Sequence, residues 1–217
     1  MNFKAVDYEE MEMTKEWYIN TYKKLVNNAR IPKRYKQKHK IYVQEEDREA
    51  YEFLNELKNH MTEFVDNGTN LLFYSKTVGC GKTMWAIELL KAYLWDSLNK
   101  GGAPNGVYIN IPSLLVEIKM GIDDPESKEE TTKLQKQLVN SKLVILDDIG
   151  VKGLSEYDQN MLYTWIDKRT SEGKSILYTT NLTPDELAGC LGTRLTDRIL
   201  KYSKVIEFKG GSFRGIE

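Results

Sequence analysis

The stretch from Leu71 to Trp95, LLFYSKTVGCGKTMWAIELLKAYLW, constrains the fold more than any other part of the chain. An apolar run leads into a small-residue loop, Gly79-Cys80-Gly81-Lys82-Thr83, and a helical pattern follows from Met84 onward. Binding a triphosphate takes several converging backbone N–H groups, a lysine for the β and γ oxygens and a hydroxyl for Mg²⁺, all at a helix N-terminus. Gly79, Gly81, Lys82 and Thr83 meet those demands, and Cys80 and Met84 complete the expected nucleotide-contacting set. Lys76 stands where the G-x-x-x-x-G-K-[ST] pattern has its first glycine, and a lysine tolerates positive φ poorly there. A chance G-x-G-K-T turn is the alternative; the strand before it, the helix after it and the motifs below weigh against that.

At 217 residues the chain suits one domain with a short appendage. No segment approaches the roughly 20 apolar residues of a membrane span, and the N-terminus lacks a signal-peptide core, so a soluble cytoplasmic protein is expected. Cys80 and Cys190 suggest plain thiols, and His39 and His60 stand alone rather than in a metal set. With a net charge of −1 the surface as a whole does not attract nucleic acid, so any such contact must be local.

Charge reverses abruptly near the N-terminus: Asp7, Glu9, Glu10, Glu12 and Glu16 give way to a basic, acid-free run from Lys23 to Lys40. Met11, Tyr18, Tyr22, Leu25 and Ala29 recur at helical spacing, which predicts a helix over 10–29 ending before Ile31-Pro32. Its apolar stripe suits core packing and partner binding equally. Residues 1–40 are therefore read as a helical arm and basic linker, and 41–217 as the main domain. The basic run and Tyr35 also suit single-stranded DNA, through backbone neutralisation and base stacking. Further helices are expected over 47–65, to about Leu98, over 113–120, 131–140 and 155–171, and near 184–190 and 193–201. The polar segment Asp123 to Glu130 is expected to be exposed and mobile. Strands are expected at the phosphate loop and over 107–111, 143–147, 175–180 and 204–208, giving five strands in β/α alternation and hence an α/β fold.

Leu143-Val144-Ile145-Leu146-Asp147-Asp148 reads as a buried strand delivering two carboxylates to its C-terminal edge, where open α/β sheets bind ligands. Asp147 is placed to hold Mg²⁺ and Asp148 to polarise the attacking water. The strand after it ends in Asn181, whose amide suits a bridge between γ-phosphate and water. Arg194 and Arg198 lie one helical turn apart and can project from one face. On their own these arginines would read as a solvated face.

With Ile31-Pro32-Lys33-Arg34-Tyr35 ahead of the core, Gly79 to Thr83, Leu143 to Asp148, Thr179-Thr180-Asn181-Leu182, Leu191 to Ile199 and Ser212-Phe213-Arg214, the chain resembles the DnaC/DnaI-like helicase-loader branch of the AAA+ ATPases, close kin of the IstB transposition helpers. The resemblance implies a P-loop NTPase core whose five-stranded parallel sheet runs in the order 5-1-4-3-2. It implies ATP and Mg²⁺ as cofactors, with Thr83 and Asp147 at the metal. Lys82, Asp147, Asp148 and Asn181 would carry ATP hydrolysis. Arg198 would act in trans as an arginine finger, supported by Arg194, and Arg214 would sense nucleotide in its own subunit. Implied partners are a replicative hexameric helicase, single-stranded DNA, through a helical insertion between Ile111 and Asn140, and further copies of the chain; no membrane partner is implied. The N-terminal part lacks a cysteine-rich zinc module, and no helix-turn-helix domain follows Glu217, which argues against a complete DnaA-type initiator. The compact size suits a phage or mobile-element loader. Competing readings are an IstB-like helper acting on duplex DNA, a P-loop nucleotide kinase, and an adaptor that uses ATP structurally.

Overall fold

The computed structural model describes residues 8–36, 41–120, 125–150 and 153–215. Its elements in chain order are α1 (Tyr8–Asn28), α2 (Lys33–Lys36), α3 (Arg48–Leu57), α4 (Met61–Asp66), β1 (Asn70–Tyr74), α5 (Lys82–Asn99), β2 (Gly106–Asn110), α6 (Ile111–Met120), α7 (Pro125–Asn140), β3 (Leu143–Asp147), α8 (Glu156–Ser171), β4 (Ser175–Thr180), α9 (Pro184–Leu191), α10 (Thr193–Tyr202) and β5 (Ser203–Glu207).

The five strands are all parallel and run β2-β3-β4-β1-β5 across the sheet, the expected order read from the other edge. Parallel sheets need both faces covered, so their strands are continuous apolar runs, and every residue of β3 and β4 is buried. The strand pleat sorts side chains between two cores. Leu71, Phe73, Ile145 and Leu177 face α1, α3, α4 and α5, while Leu72, Val144, Leu146, Ile176 and Tyr178 face α6 to α10. The α5 helix is apolar nearly all round, with Trp85, Leu89, Leu90, Tyr93 and Leu94 buried, as a helix enclosed by sheet and further helices must be. Ser155 with Asp158 and Thr183 with Glu186 form capping boxes that start α8 and α9, and Pro184 occupies the first turn of α9 as its sequence predicts.

Two expectations change, and one open alternative is narrowed. The helix expected over 47–65 is broken by a 3-10 turn at Lys58–His60. The turn re-aims the chain so that Met61, Phe64 and Val65 all enter the core and the Thr62 N–H reaches Asp96 Oδ2 at 3.0 Å. Apolar spacing at 54, 57, 61 and 64 looks the same for a straight helix, so periodicity cannot reveal the break. Second, α7 begins at Pro125, which takes 125–130 out of the segment read as a loop. Proline at the first helical turn loses no hydrogen bond, and that start signal outweighs the polar composition. Third, the second half of the apolar stripe on α1 packs on the core. Val26 and Ala29 are buried, Tyr22 meets the Trp95 ring edge-on at 5.3 Å, and Ala29 O accepts from Tyr108 N–H at 2.8 Å along the outer edge of β2. Trp17, a turn or more earlier, is 57% exposed. The Met11 side chain, His39 with the rest of 37–40, and Asp123 lie outside the described residues.

Arg169 on α8 is wholly buried and donates to Leu138 O (2.6 Å), Ser141 O (2.7 Å), Lys142 O (3.2 Å) and Ser175 O (2.6 Å). It ties the end of α7 to the starts of β3 and β4. Burial lowers its pKa to about 10, which leaves it charged at neutral pH.

Candidate nucleotide-binding site

The loop between β1 and α5 turns through Gly79 (φ 86°) and Gly81 (φ 102°), after which Trp85 N–H bonds Gly81 O and α5 begins. Left-handed φ without a Cβ is what these positions require. At Gly79 a Cβ would also lie 2.5 Å from Ser212 Oγ. Lys76 is not among the residues with positive φ, so the substituted first glycine introduces no left-handed strain. The Lys82 ammonium donates to Thr77 O at 3.1 Å and Ser75 O at 3.5 Å, gathered over its own loop.

At the end of β3 two consecutive acids diverge. Asp147 is 6% exposed, and its carboxylate accepts from four side chains: Thr83 and Thr179 at 2.7 Å on Oδ1, Tyr108 at 2.6 Å and Asn110 at 3.4 Å on Oδ2. Parallel pairing sets Asn110 beside Asp147, and the pleat puts Tyr108, two residues earlier, on the same side. Burial, then the Asp147 charge, pushes the Tyr108 hydroxyl far above its ordinary value, so it is a fixed donor. Asp148 takes a left-handed φ of 59°, which aspartate tolerates better than most residues. Its N–H donates to Thr179 Oγ1 at 2.9 Å, and its carboxylate accepts from Asn181 Nδ2 at 3.0 Å. Desolvation and then the Asp147 charge raise its pKa, opposed by Lys82 and by the Asn181 amide.

A cavity of about 770 Å³ brings together Gly79, Gly81, Lys82, Thr83, Met84, Asp147, Asp148, Asn181 and Arg214. Cys80 serves the loop through its backbone at most. It is wholly buried, with Sγ 3.5 Å from Lys82 Nζ, so its side chain faces the core and only its backbone is available to a nucleotide. Arg194 and Arg198 are not in the cavity lining. Both sit over the Tyr163 ring, at 4.3 and 5.5 Å, and Arg198 Nη2 pairs with Asp167 Oδ1 at 2.6 Å on the α8/α10 surface.

The cavity also takes in residues that sequence reasoning did not assign to it: Arg34, Tyr35, Tyr42, Asn110, Thr179 and Phe213. For Asn110 and Thr179 a signal existed, since polar residues closing two apolar strands belong at the ligand-binding edge. Arg34, Tyr35 and Phe213 stand in stretches that carry the family resemblance, yet they were given no role at the nucleotide; for Tyr42 no signal existed. A cavity of about 860 Å³ beside Tyr22 and Trp95 is larger but lies away from the loop; of its charged groups, Lys91 pairs with Glu88 and Asp96 with Lys100.

Thr83 Oγ1 and Asp147 Oδ1 form a hard-oxygen pair, and no group of three His, Cys, Asp or Glu suited to a metal occurs among the described residues. That donor set fits Mg²⁺, which binds through one or two protein oxygens and completes its shell with water and phosphate.

A phosphate loop after the strand flanked by β4 and β5, an acid pair closing β3 and a polar residue just beyond β4, on a sheet of this order, define an AAA+-type P-loop domain that binds nucleoside triphosphate. The chain belongs to the family of IstB-like ATP-binding proteins, whose model matches residues 9–216. It is 26% identical over 162 residues to the replicative helicase loader DnaC of Escherichia coli K12, a match covering 74% of this chain and 62% of that protein, so it spans less than two thirds of the relative's length. The crystal structure of the DnaC helicase loader superposes with a TM-score of 0.63 at 25% identity, covering 82% of this chain and 100% of that one. The DnaI crystal structure gives a TM-score of 0.63 at 17% identity, covering 85% and 95%, which is a likeness of fold. Among the described residues no helix is long and apolar enough to cross a membrane.

Proposed function

We propose that this chain is an ATP-hydrolysing loader that delivers a replicative hexameric helicase to single-stranded DNA. The observation that carries the reading is the 25% identical match along the whole chain of the DnaC helicase loader structure. The cavity chemistry supports hydrolysis. Lys82 neutralises the β and γ oxygens from the floor of the loop. A magnesium ion held through Thr83 and Asp147 would add charge neutralisation at the same oxygens. Asp148 orients the attacking water; its raised pKa brings it nearer the range in which a carboxylate works as a base at neutral pH. Asn181 holds that carboxylate in place, and Arg214 reads nucleotide within its own chain. Arg198, outside the cavity, reaches the ATP of a neighbouring copy, with Arg194 supporting the interface. The stretch of α1 around its midpoint, with Trp17 and Ile19 exposed, suits the arm of residues 1–40 as the grip on the helicase. The remaining basic residues of the run from Lys23, together with the α6–α7 insertion, are the candidate DNA surface.

A second reading, an IstB-like helper preferring duplex DNA, is favoured only by the description of the matching family. Co-purification with candidate replicative helicases in ATP and in ADP, alongside hydrolysis rates with single-stranded and duplex DNA, separates the two. Nucleotide-dependent helicase capture with single-strand stimulation is expected. Duplex stimulation without capture would favour the second reading, and a chain that neither captures helicase nor hydrolyses ATP would refute both.

A further inference from the structure

After β5 the backbone leaves the sheet, its last sheet bond running from Phe208 N–H to Tyr74 O at 2.9 Å. The next residues are held by two side chains located roughly 160 positions earlier. Asp47 Oδ1 accepts from Lys209 N–H at 2.6 Å, and its two oxygens accept from Gly210 N–H at 3.3 and 3.2 Å. Gln44 closes a reciprocal pair with the next residue, Oε1 accepting from Gly211 N–H at 2.5 Å and Nε2 donating to Gly211 O at 3.0 Å. Two residues further on, Phe213 N–H bonds Gly79 O at 3.0 Å, which sets Phe213 and Arg214 over the phosphate loop.

Asp47 is the N-cap residue of α3, a place where an aspartate ordinarily accepts from its own helix. Here it makes no such bond, its carboxylate being committed to 209–210 instead. It is also 2% exposed, and burying a carboxylate is costly unless its oxygens are hydrogen-bonded. The fit is close at both ends of the strap. A Cβ on Gly210 would lie 2.5 Å from Gln44 Oε1 and 2.7 Å from Asp47 Oδ2, and one on Gly79 would lie 2.9 Å from Arg214 Cγ. Neither Asp47 nor Gln44 lines the cavity.

We propose that Asp47 and Gln44 are positioning residues: they hold the strap 209–214 so that Phe213 and Arg214 meet the bound nucleoside triphosphate, and so set its affinity without touching it. The proposal rests on the ATP site described above. It also links nucleotide occupancy to the segment 41–47, which joins the N-terminal arm to the core.

The test is a double-mutant cycle on the full chain, reading the Kd of a fluorescent ATP analogue, with melting midpoints for each variant. Asp47→Ala and Arg214→Ala are each expected to weaken binding about tenfold, and the double variant no more than about tenfold, because the second change removes a contact already displaced. Asp47→Asn, which keeps an acceptor for Lys209 N–H, should recover most of the affinity. Should Asp47→Ala fail to fold, Gln44→Ala at its half-buried position reads the same non-additivity at about threefold amplitude. A merely structural role would lower the melting midpoint and leave the two substitutions additive, near a hundredfold together; that result, or native affinity in Asp47→Ala, overturns the positioning role. Lys82→Ala is the control. Analogue binding indifferent to Lys82 would instead overturn the nucleotide site itself, and the proposal with it.

Discussion

The acid centre at Asp147 and the arginine face at Arg198 are built on opposite terms. Asp147 is buried and receives four donors from two strands and the phosphate-loop helix of its own chain. Arg198 has one carboxylate partner and one ring, with 27% of its side chain and 40% of that of Asp167 open to solvent. A centre so fully satisfied from within is fixed before any partner arrives, whereas a guanidinium held by an exposed pair can exchange that partner at little cost, since such pairs contribute about 1 kcal/mol or less. The nucleotide-binding floor is thus built within one chain, and Arg198, the proposed finger, stands outside its own cavity. On the proposed trans role of Arg198, the difference teaches where such a site would be controlled: at the surface that supplies the arginine, not at the floor that holds the phosphates.

The largest expected effect lies on the outward side. Arg198→Ala should retain ATP binding and lose roughly 10³ to 10⁵ in turnover where the finger supplies most of the charge stabilisation, read by equilibrium binding beside steady-state hydrolysis. Equal losses in binding and turnover would place Arg198 in its own cavity after all. Next comes the inward side. Asp148→Asn should bind ATP and lose about 10² to 10⁴ in turnover, the usual worth of a positioned base, while Lys82→Ala should lose tight binding itself. A reversal of those two patterns would mean that binding and chemistry have been exchanged.

The comparison sharpens between arginines. Arg169→Ala should cost about 3 to 5 kcal/mol in a denaturant titration, because it strands buried carbonyls that the guanidinium satisfies, whereas Arg198→Ala should change stability by about 1 kcal/mol or less. Similar stability costs would erase the distinction. The smallest effect is in pH dependence. With Asp148 as the proposed base, acting as the carboxylate, its raised pKa moves the acid limb of kcat/KM upward from where an unperturbed aspartate would put it, activity falling as pH drops through the limb. The Asn181 amide lowers that pKa, so Asn181→Ala should move the limb to higher pH; a limb that stays put or moves down would detach Asn181 from Asp148.

The sheet was legible because its signals are local. Five apolar runs, a glycine loop and the Thr183-Pro184-Asp185-Glu186 start each carry their meaning within a few residues. The family resemblance then supplied the strand order, which no single run encodes. Asp147, Asp148 and Asn181 were readable for the same reason, as they close two apolar strands. What escaped was made by distant pairing. Arg169 sits in the last turn of a helix, where a cation ordinarily suits the helix dipole, and only the fold shows it enclosed. Asp47 looks like an ordinary cap until its carboxylate is found on Lys209 and Gly210. Cys80 looked like a cradle residue because it stands between two glycines that are, yet the turn sends its side chain into the core.

The central claim, that the site is completed between copies, is tested most directly by mixing Arg198→Ala with Asp148→Asn. Each is expected to be inactive alone. In a mixture that co-assembles, some interfaces join an intact Asp148 cavity to an intact Arg198, and hydrolysis should partly return. A mixture as inactive as its components, with co-assembly demonstrated in the same sample, would contradict an arginine acting in trans.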